Sequence, residues 1–133
     1  MKLITTNKEL VSNLLRMERT YKSIAFAVAW ASARTEVFRQ LIKNRTHIKK
    51  AVIGTHFYQT HPDVLDAFSG SKNVRFIMQP KGIFHPKIYL FWNPTHWEAL
   101  IGSANLTSAA LTDNSEVMAL LSNSDQISIP LKT

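Results

Sequence analysis

Two short stretches of this chain combine residue types that handle phosphate esters. In FHPKIYLF, residues 84–91, a histidine and a lysine stand two apart. In ALIGSANLTSAAL, residues 99–111, an apolar segment runs into Gly102-Ser103-Ala104-Asn105. Residues two apart on an extended strand point to one side, so His85 and Lys87 share a face, as do Ser103 and Asn105 if the second strand stays extended through its end. Brought together, an imidazole, an ammonium, a hydroxyl and a carboxamide suit a phosphodiester. Lysine neutralises the non-bridging oxygens, Asn and Ser donate hydrogen bonds to them, and histidine attacks phosphorus or transfers a proton. Gly102 is expected to let the backbone approach the ligand closely. Pro86, which has no N–H for a ladder, predicts a strand start or a bulge between the histidine and the lysine.

This ordered set resembles the phospholipase D superfamily, whose signature is HxK(x)4D followed by GSxN. His85-Pro86-Lys87 supplies HxK, Gly102-Ser103-Ala104-Asn105 supplies GSxN, and Glu116 in NSEV stands where members carry a glutamate some eleven residues after the asparagine. FHPKIYLF, LIGSANLTSAAL, NSEVMALL and the earlier IAFAVAWAS look most like the nuclease branch, which includes metal-independent restriction endonucleases and domains attached to helicases. The resemblance is strong over 83–122 and loose over 20–80. One position departs from the signature: the aspartate expected five residues after Lys87 is Trp92. Restriction-type members also lack this acid.

The resemblance implies a mechanism. His85 would be the nucleophile that forms a phosphohistidine intermediate, and Glu116 would accept a hydrogen bond from the other imidazole nitrogen, as a triad acid does. Lys87 and Asn105 would clamp the phosphate, with Ser103 in support. Family enzymes use two such sets, the second histidine protonating the leaving oxygen and later activating water. This chain holds one such set complete with its glutamate, so a homodimer that joins two half-sites across a two-fold axis is expected. No metal or other cofactor is implied, because lysines and asparagines carry the charge stabilisation that Mg²⁺ gives other nucleases. DNA is the expected substrate. Residues 1–133 are expected to form one phospholipase D-like nuclease domain, the catalytic part of a larger restriction or helicase-linked protein. No base-reading motif such as a recognition helix or zinc finger is visible, so an additional DNA-recognition or helicase domain would supply sequence specificity.

Composition bears on the substrate and on the competing readings. Sixteen Lys and Arg against nine Asp and Glu give +7, a balance that favours polyanionic partners. With 45% hydrophobic and 19% charged residues the chain reads as globular. It has no cysteine, which excludes disulfides, thiolate zinc sites and cysteine nucleophiles. Apolar runs such as IAFAVAWA fall short of the roughly 20 residues of a membrane-spanning helix, and MKLITTNKEL holds no apolar signal region. A cytoplasmic protein without a membrane partner is the expectation. Two other functions fit the same residues: a catalytically inactive DNA-binding module that only grips phosphate, and a hydrolase of phospholipid head groups, which the basic balance and the missing aspartate disfavour. His47, His56, His61 and His96 fit no metal-ligand spacing. His56 and His61, with Tyr58 between them, fall in a loop after a strand end, where α/β ligands often bind. Trp30, Trp92 and Trp97 read as core or dimer contacts. Arg34, Arg39, Arg45, Lys49, Lys50, Arg75 and Lys81 are candidates to track a DNA backbone.

The elements that must position these residues follow from periodicity. A short strand is predicted over 1–5. A helix over 7–19 carries Leu10, Val11, Leu14, Leu15 and Met17 on one stripe, with Asn7 as its cap. SIAFAVAW, 23–30, apolar on both faces, predicts a central strand covered on both sides. A second helix opens at 32–34, and HIKKAVIG is a strand ended by Gly54. Pro62 starts a helix that stops at Gly70, and 73–79 is a strand. Residues 83–92 and 96–103 are expected to pair as a hairpin. A helical turn follows near 106–111, and 114–122 is a last strand. The order indicates a single α/β domain with a mixed β-sheet sandwiched between helices.

Overall fold

A computed structural model of the chain describes residues 1–125. The strands are β1 (Lys2–Ile4), β2 (Ser23–Val28), β3 (Ile48–Gly54), β4 (Val74–Ile77), β5 (Lys87–Trp92), β6 (Trp97–Gly102) and β7 (Met118–Ser122). They form one seven-stranded sheet in the order β1-β7-β6-β5-β2-β3-β4. β2, β3 and β4 run parallel, and every other pairing is antiparallel. This is the α/β domain with a mixed sheet that the element order predicts. The parallel half needs crossover connections, which α2 (Glu36–Lys43) and α3 (Pro62–Ala67) supply. The antiparallel half is joined by the β5–β6 hairpin, where Asn93 Oδ1 accepts from the N–H groups of Thr95 and His96 at 2.9 and 2.8 Å.

α1 (Asn7–Thr20) carries its apolar stripe as predicted, with Leu10, Leu14 and Met17 buried. Its cap is Thr6, not Asn7: the Glu9 N–H donates to Thr6 Oγ1 at 3.2 Å, and the Thr6 hydroxyl donates to Glu9 Oε1 at 3.3 Å. The Asn7 side chain works at long range, donating to the carbonyls of Ala110 and Asn114 at 2.9 Å each. α2 begins at Glu36, later than expected, because the Thr35 hydroxyl accepts from the Phe38 N–H and sets the start there. Arg16 makes a two-pronged pair with Glu98, at 2.8 and 2.9 Å. Tyr21 donates to the same carboxylate at 2.7 Å, which ties α1 to β6.

Buried residues of all three helices, among them Leu14, Leu41 and Val64, join one cluster with Ile24, Phe26, Val28, Ile53, Tyr89, Phe91, Leu100 and Met118 of the sheet. β2 is central as predicted, but only alternate residues are buried. Ala25 and Ala27 lie with Val52, Ile88 and Leu90 along an open apolar trough on the other face. Among the described residues no helix is long and apolar enough to cross a membrane.

Candidate active site

β2 and β3 end at the same edge of the sheet at which the antiparallel β5 begins, Lys87 standing opposite Val28. β6 also ends there, with Gly102 opposite Met118, the first residue of β7. Loops after the carboxyl ends of parallel strands are where α/β proteins bind ligands, and all five predicted residues sit at this edge. His85 is exposed and lies just before β5, not within it. Pro86 cannot donate to the ladder, and the strand starts at Lys87, two residues after the histidine.

The His85–Lys87 pair forms as the two-residue spacing predicts. Lys87 Nζ lies 2.7 Å from His85 Nδ1 and 3.0 Å from Nε2, and donates to the His85 carbonyl at 3.0 Å. An ammonium has only donors, so a ring nitrogen that takes part in this contact does so as an acceptor. Partial burial holds the Lys87 pKa below the ordinary lysine value, and the charge of Glu116 opposes that shift. The Trp30 ring stands edge-on to His85, centroids 5.6 Å apart and planes at 80°. Its indole N–H donates to the His56 carbonyl at 2.9 Å.

Asn105 is fixed by architecture. Its Oδ1 accepts from the backbone N–H groups of Ala29 and Trp30 at 3.1 and 3.2 Å, where β2 leaves the sheet. Two donors demand the oxygen at that position, which settles the amide orientation and turns the NH₂ group away from this contact as a free donor. Buried Tyr89, two residues after Lys87, donates to the Ala104 carbonyl at 2.9 Å and props the GSxN segment from below. Ser103 donates to Glu116 Oε2 at 2.5 Å and accepts from the Val117 N–H at 3.0 Å. Glu116 is therefore joined to Ser103 and not, as the resemblance implied, to His85. Gly102 serves a packing need rather than ligand approach: a β-carbon there would meet the Val117 carbonyl oxygen at 2.2 Å. At Gly54 one would meet the Ala29 carbonyl oxygen at 2.4 Å, just beneath the segment that Asn105 holds.

Tyr89 and Trp30 were missed from sequence as site residues. Tyr89 had a signal in the same two-residue spacing that joined His85 to Lys87. Trp30 had only its place at the carboxyl end of a strand. Trp92, in the position of the absent aspartate, pairs with Ser23 and Trp97 at the opposite end of β5. At ~3.3 Å per residue it lies roughly 17 Å from Lys87 along the strand. A depression of about 520 Å³ beside it is lined by Leu90, Trp92, Trp97 and the hairpin turn, and holds none of the five residues. Of the other histidines, His56 is buried behind Trp30 with Nε2 3.2 Å from the Gln79 carbonyl. His61 caps α3. His47 and His96 lie before β3 and in the β5–β6 hairpin. Among the described residues no three His, Asp or Glu side chains are grouped to hold a metal ion. Arg34 and Lys81 are in loops at the site edge, whereas Arg45 follows α2 at the other edge and Arg75 stands within β4.

Fold and site together define a phospholipase D-like domain, of the phosphodiester hydrolase class. The chain belongs to the family described as the NgoFVII restriction endonuclease N-terminal PLD domain, whose profile matches residues 36–131, a span that contains all five site residues. Among solved structures it is similar to NucT from Helicobacter pylori, with a TM-score of 0.64 and 14% identity over 91% of this chain and 83% of that one. Nuc from Salmonella typhimurium, a phospholipase D family member, gives a TM-score of 0.63 and 18% identity over 90% of this chain and 80% of that one. TrmBL2, an archaeal chromatin protein described as having a novel mode of DNA binding, gives 0.54 and 12% over 90% and 45%. At these identities the likeness is one of fold. No curated protein is significantly similar to the chain.

Proposed function

We propose that this chain is the catalytic domain of a DNA endonuclease that works through a phosphohistidine and without a metal ion. The observation that carries the reading is the placement at one sheet edge of the His85–Lys87 pair, the backbone-held Asn105 amide and the Ser103–Glu116 pair. Lys87 and Asn105 supply positive charge and a hydrogen-bond donor for the non-bridging oxygens, and their backbone supports fix both before substrate arrives. A phosphate that draws Lys87 away leaves the His85 lone pair facing phosphorus. An N–P bond forms as the bond to the leaving oxygen breaks, and that oxygen takes a proton from His85 of the partner subunit. The same partner histidine then takes a proton from water, whose oxygen displaces His85 from phosphorus and releases the second product. Glu116 anchors Ser103 and offsets the Lys87 charge.

On this reading a second copy is needed because only one HxK–GSxN set in the chain is complete with its glutamate; His47-Ile48-Lys49 and Gly70-Ser71-Lys72-Asn73 repeat the pattern without one, at the opposite edge of the sheet. Val117 and Ile101, 53% and 43% exposed beside Ser103, offer the apolar rim that a second copy would cover. DNA as substrate is supported by the +7 charge and by the restriction endonuclease description of the family. That description also supports a separate domain for sequence recognition in the full protein. The inactive-module reading drew on Trp92, but a side chain at the far end of β5 removes no group from the site.

The test is cleavage of supercoiled plasmid in excess EDTA by the wild-type protein and by His85→Ala. Chelator-resistant nicking by the wild type alone, together with an acid-labile phosphoprotein trapped on denaturation, is the expected outcome. Equal cutting by both proteins would refute His85 as the nucleophile.

A further inference from the structure

We infer that Phe57 is a stacking platform for an unpaired nucleobase beside the scissile phosphate, so that the strand to be cut is single-stranded or locally opened. The inference rests on the phosphodiesterase reading of the site and adds the form of the nucleic acid. Phe57 has φ +59, alone among the described non-glycine residues in being positive, and its side chain is 63% exposed. A residue with a β-carbon is strained in that conformation, and an apolar ring left in water returns no burial to the fold. Strain combined with exposure marks a ring held ready for something outside the molecule.

The surroundings say what that is. The neighbouring His56 carbonyl accepts from the Trp30 indole, whose ring packs T-shaped against His85, so Phe57 lies one residue from the wall of the site. Its turn is pinned on both sides. Thr60 donates to the Gly54 carbonyl at 2.6 Å, and the His61 N–H donates to the Ala31 carbonyl at 3.0 Å. The Thr55 N–H donates to Ile77, and His56 Nε2 meets the Gln79 carbonyl, so the 78–83 loop runs alongside. That loop adds the exposed Met78 and Ile83, and Lys81 beside them with Arg34 supplies charge for flanking phosphates. A rigid apolar face bordered by cations suits a base attached to a phosphodiester. In a closed duplex the base faces are stacked away, whereas an unpaired or extruded base presents one. An apolar protein partner would also cover the ring, but the net charge and the link through His56 and Trp30 to His85 favour nucleic acid.

The experiment uses the full chain carrying His85→Ala, so that binding is read apart from cleavage. The probe is a single-stranded 12-mer with 2-aminopurine at successive positions, and a closed duplex of the same sequence is the comparison. Stacking should quench 2-aminopurine at one or two positions. Adding Phe57→Gly should abolish that quenching and weaken single-strand binding about tenfold or more. Because glycine adopts φ > 0 freely, this variant should melt at the same temperature or higher. Unchanged single-strand affinity and quenching in Phe57→Gly would overturn the inference, as would a lowered melting temperature, which would make the ring a structural support. If the wild type fails to cut yet the Phe57-dependent quenching is present, the cleavage reading fails and the stacking inference stands. If the wild type cuts in EDTA while Phe57→Gly changes neither binding nor quenching, the inference alone fails.

Discussion

Glu18, near the end of α1, is 1% exposed, and among the described residues neither carboxylate oxygen has a hydrogen-bond partner. Burial pushes its pKa up to about 9; the Arg19 charge pulls against this and Glu36 adds to it. Between the unfolded value near 4.5 and about 9, the folded protein holds a proton that the unfolded chain has lost. Stability is therefore highest below the lower value and falls as pH rises, by about 1.4 kcal/mol per unit, until the folded group ionises. At pH 7 the accumulated cost is about 3 kcal/mol, since 2.5 units separate that pH from the unfolded pKa. Glu18→Gln removes the titration and Glu18→Leu also removes the unpaired polar atoms. Both are expected to flatten the profile, and at pH 7 to raise the melting temperature by roughly 10 °C for a domain of this size. Urea unfolding of the three proteins at pH 5, 6, 7 and 8 reads the slopes directly. A wild-type slope no steeper than that of Glu18→Gln would refute the argument, because it would mean that the carboxyl ionises in the fold without penalty.

Two further outcomes follow from the site. Gly102→Ala is expected to cost on the order of 2–3 kcal/mol, since its β-carbon would meet the Val117 carbonyl oxygen at 2.2 Å. It should lower kcat as well, by displacing Val117 and with it the adjoining Glu116; calorimetry and plasmid nicking check the pair, and wild-type stability would contradict the packing role. Trp92→Asp, which restores the superfamily's aspartate, is expected to leave the nicking rate per folded molecule within about twofold, because the position lies roughly 17 Å from Lys87 along β5. A large gain or loss at constant folded fraction would show that the hairpin end communicates with the chemistry.

Much of the architecture was legible because it is local. The stripe of Leu10, Leu14 and Met17 requires a helix, Pro62 a helix start and Asn93-Pro94-Thr95 a turn, and each is found. The site was legible as types and order: the two-residue spacing of His85 and Lys87 put them in contact, although Pro86 moved the histidine out of the strand. What sequence did not reveal is long-range. The Asn7 amide reaches carbonyls more than a hundred residues away, a bond no local pattern encodes, while Thr6 takes the cap that Asn7 seemed suited for. The Ser103–Glu116 bond depends on β6 and β7 being neighbours. The apolar run of β2 suggested cover on both faces, but small side chains such as Ala25 and Ala27 are tolerated half-exposed, so the run did not distinguish cover from an open trough.

The pair of hydrogen bonds that Asn105 accepts from the backbone N–H groups of Ala29 and Trp30 has a consequence for safety. The donor amide keeps its working direction only while the end of β2 is in place. A newly made or partly unfolded copy, in which that end has frayed, loses its phosphate clamp with the same event. On the proposed function, such a molecule is chemically silent toward the DNA around it, and cutting is confined to copies that have finished folding.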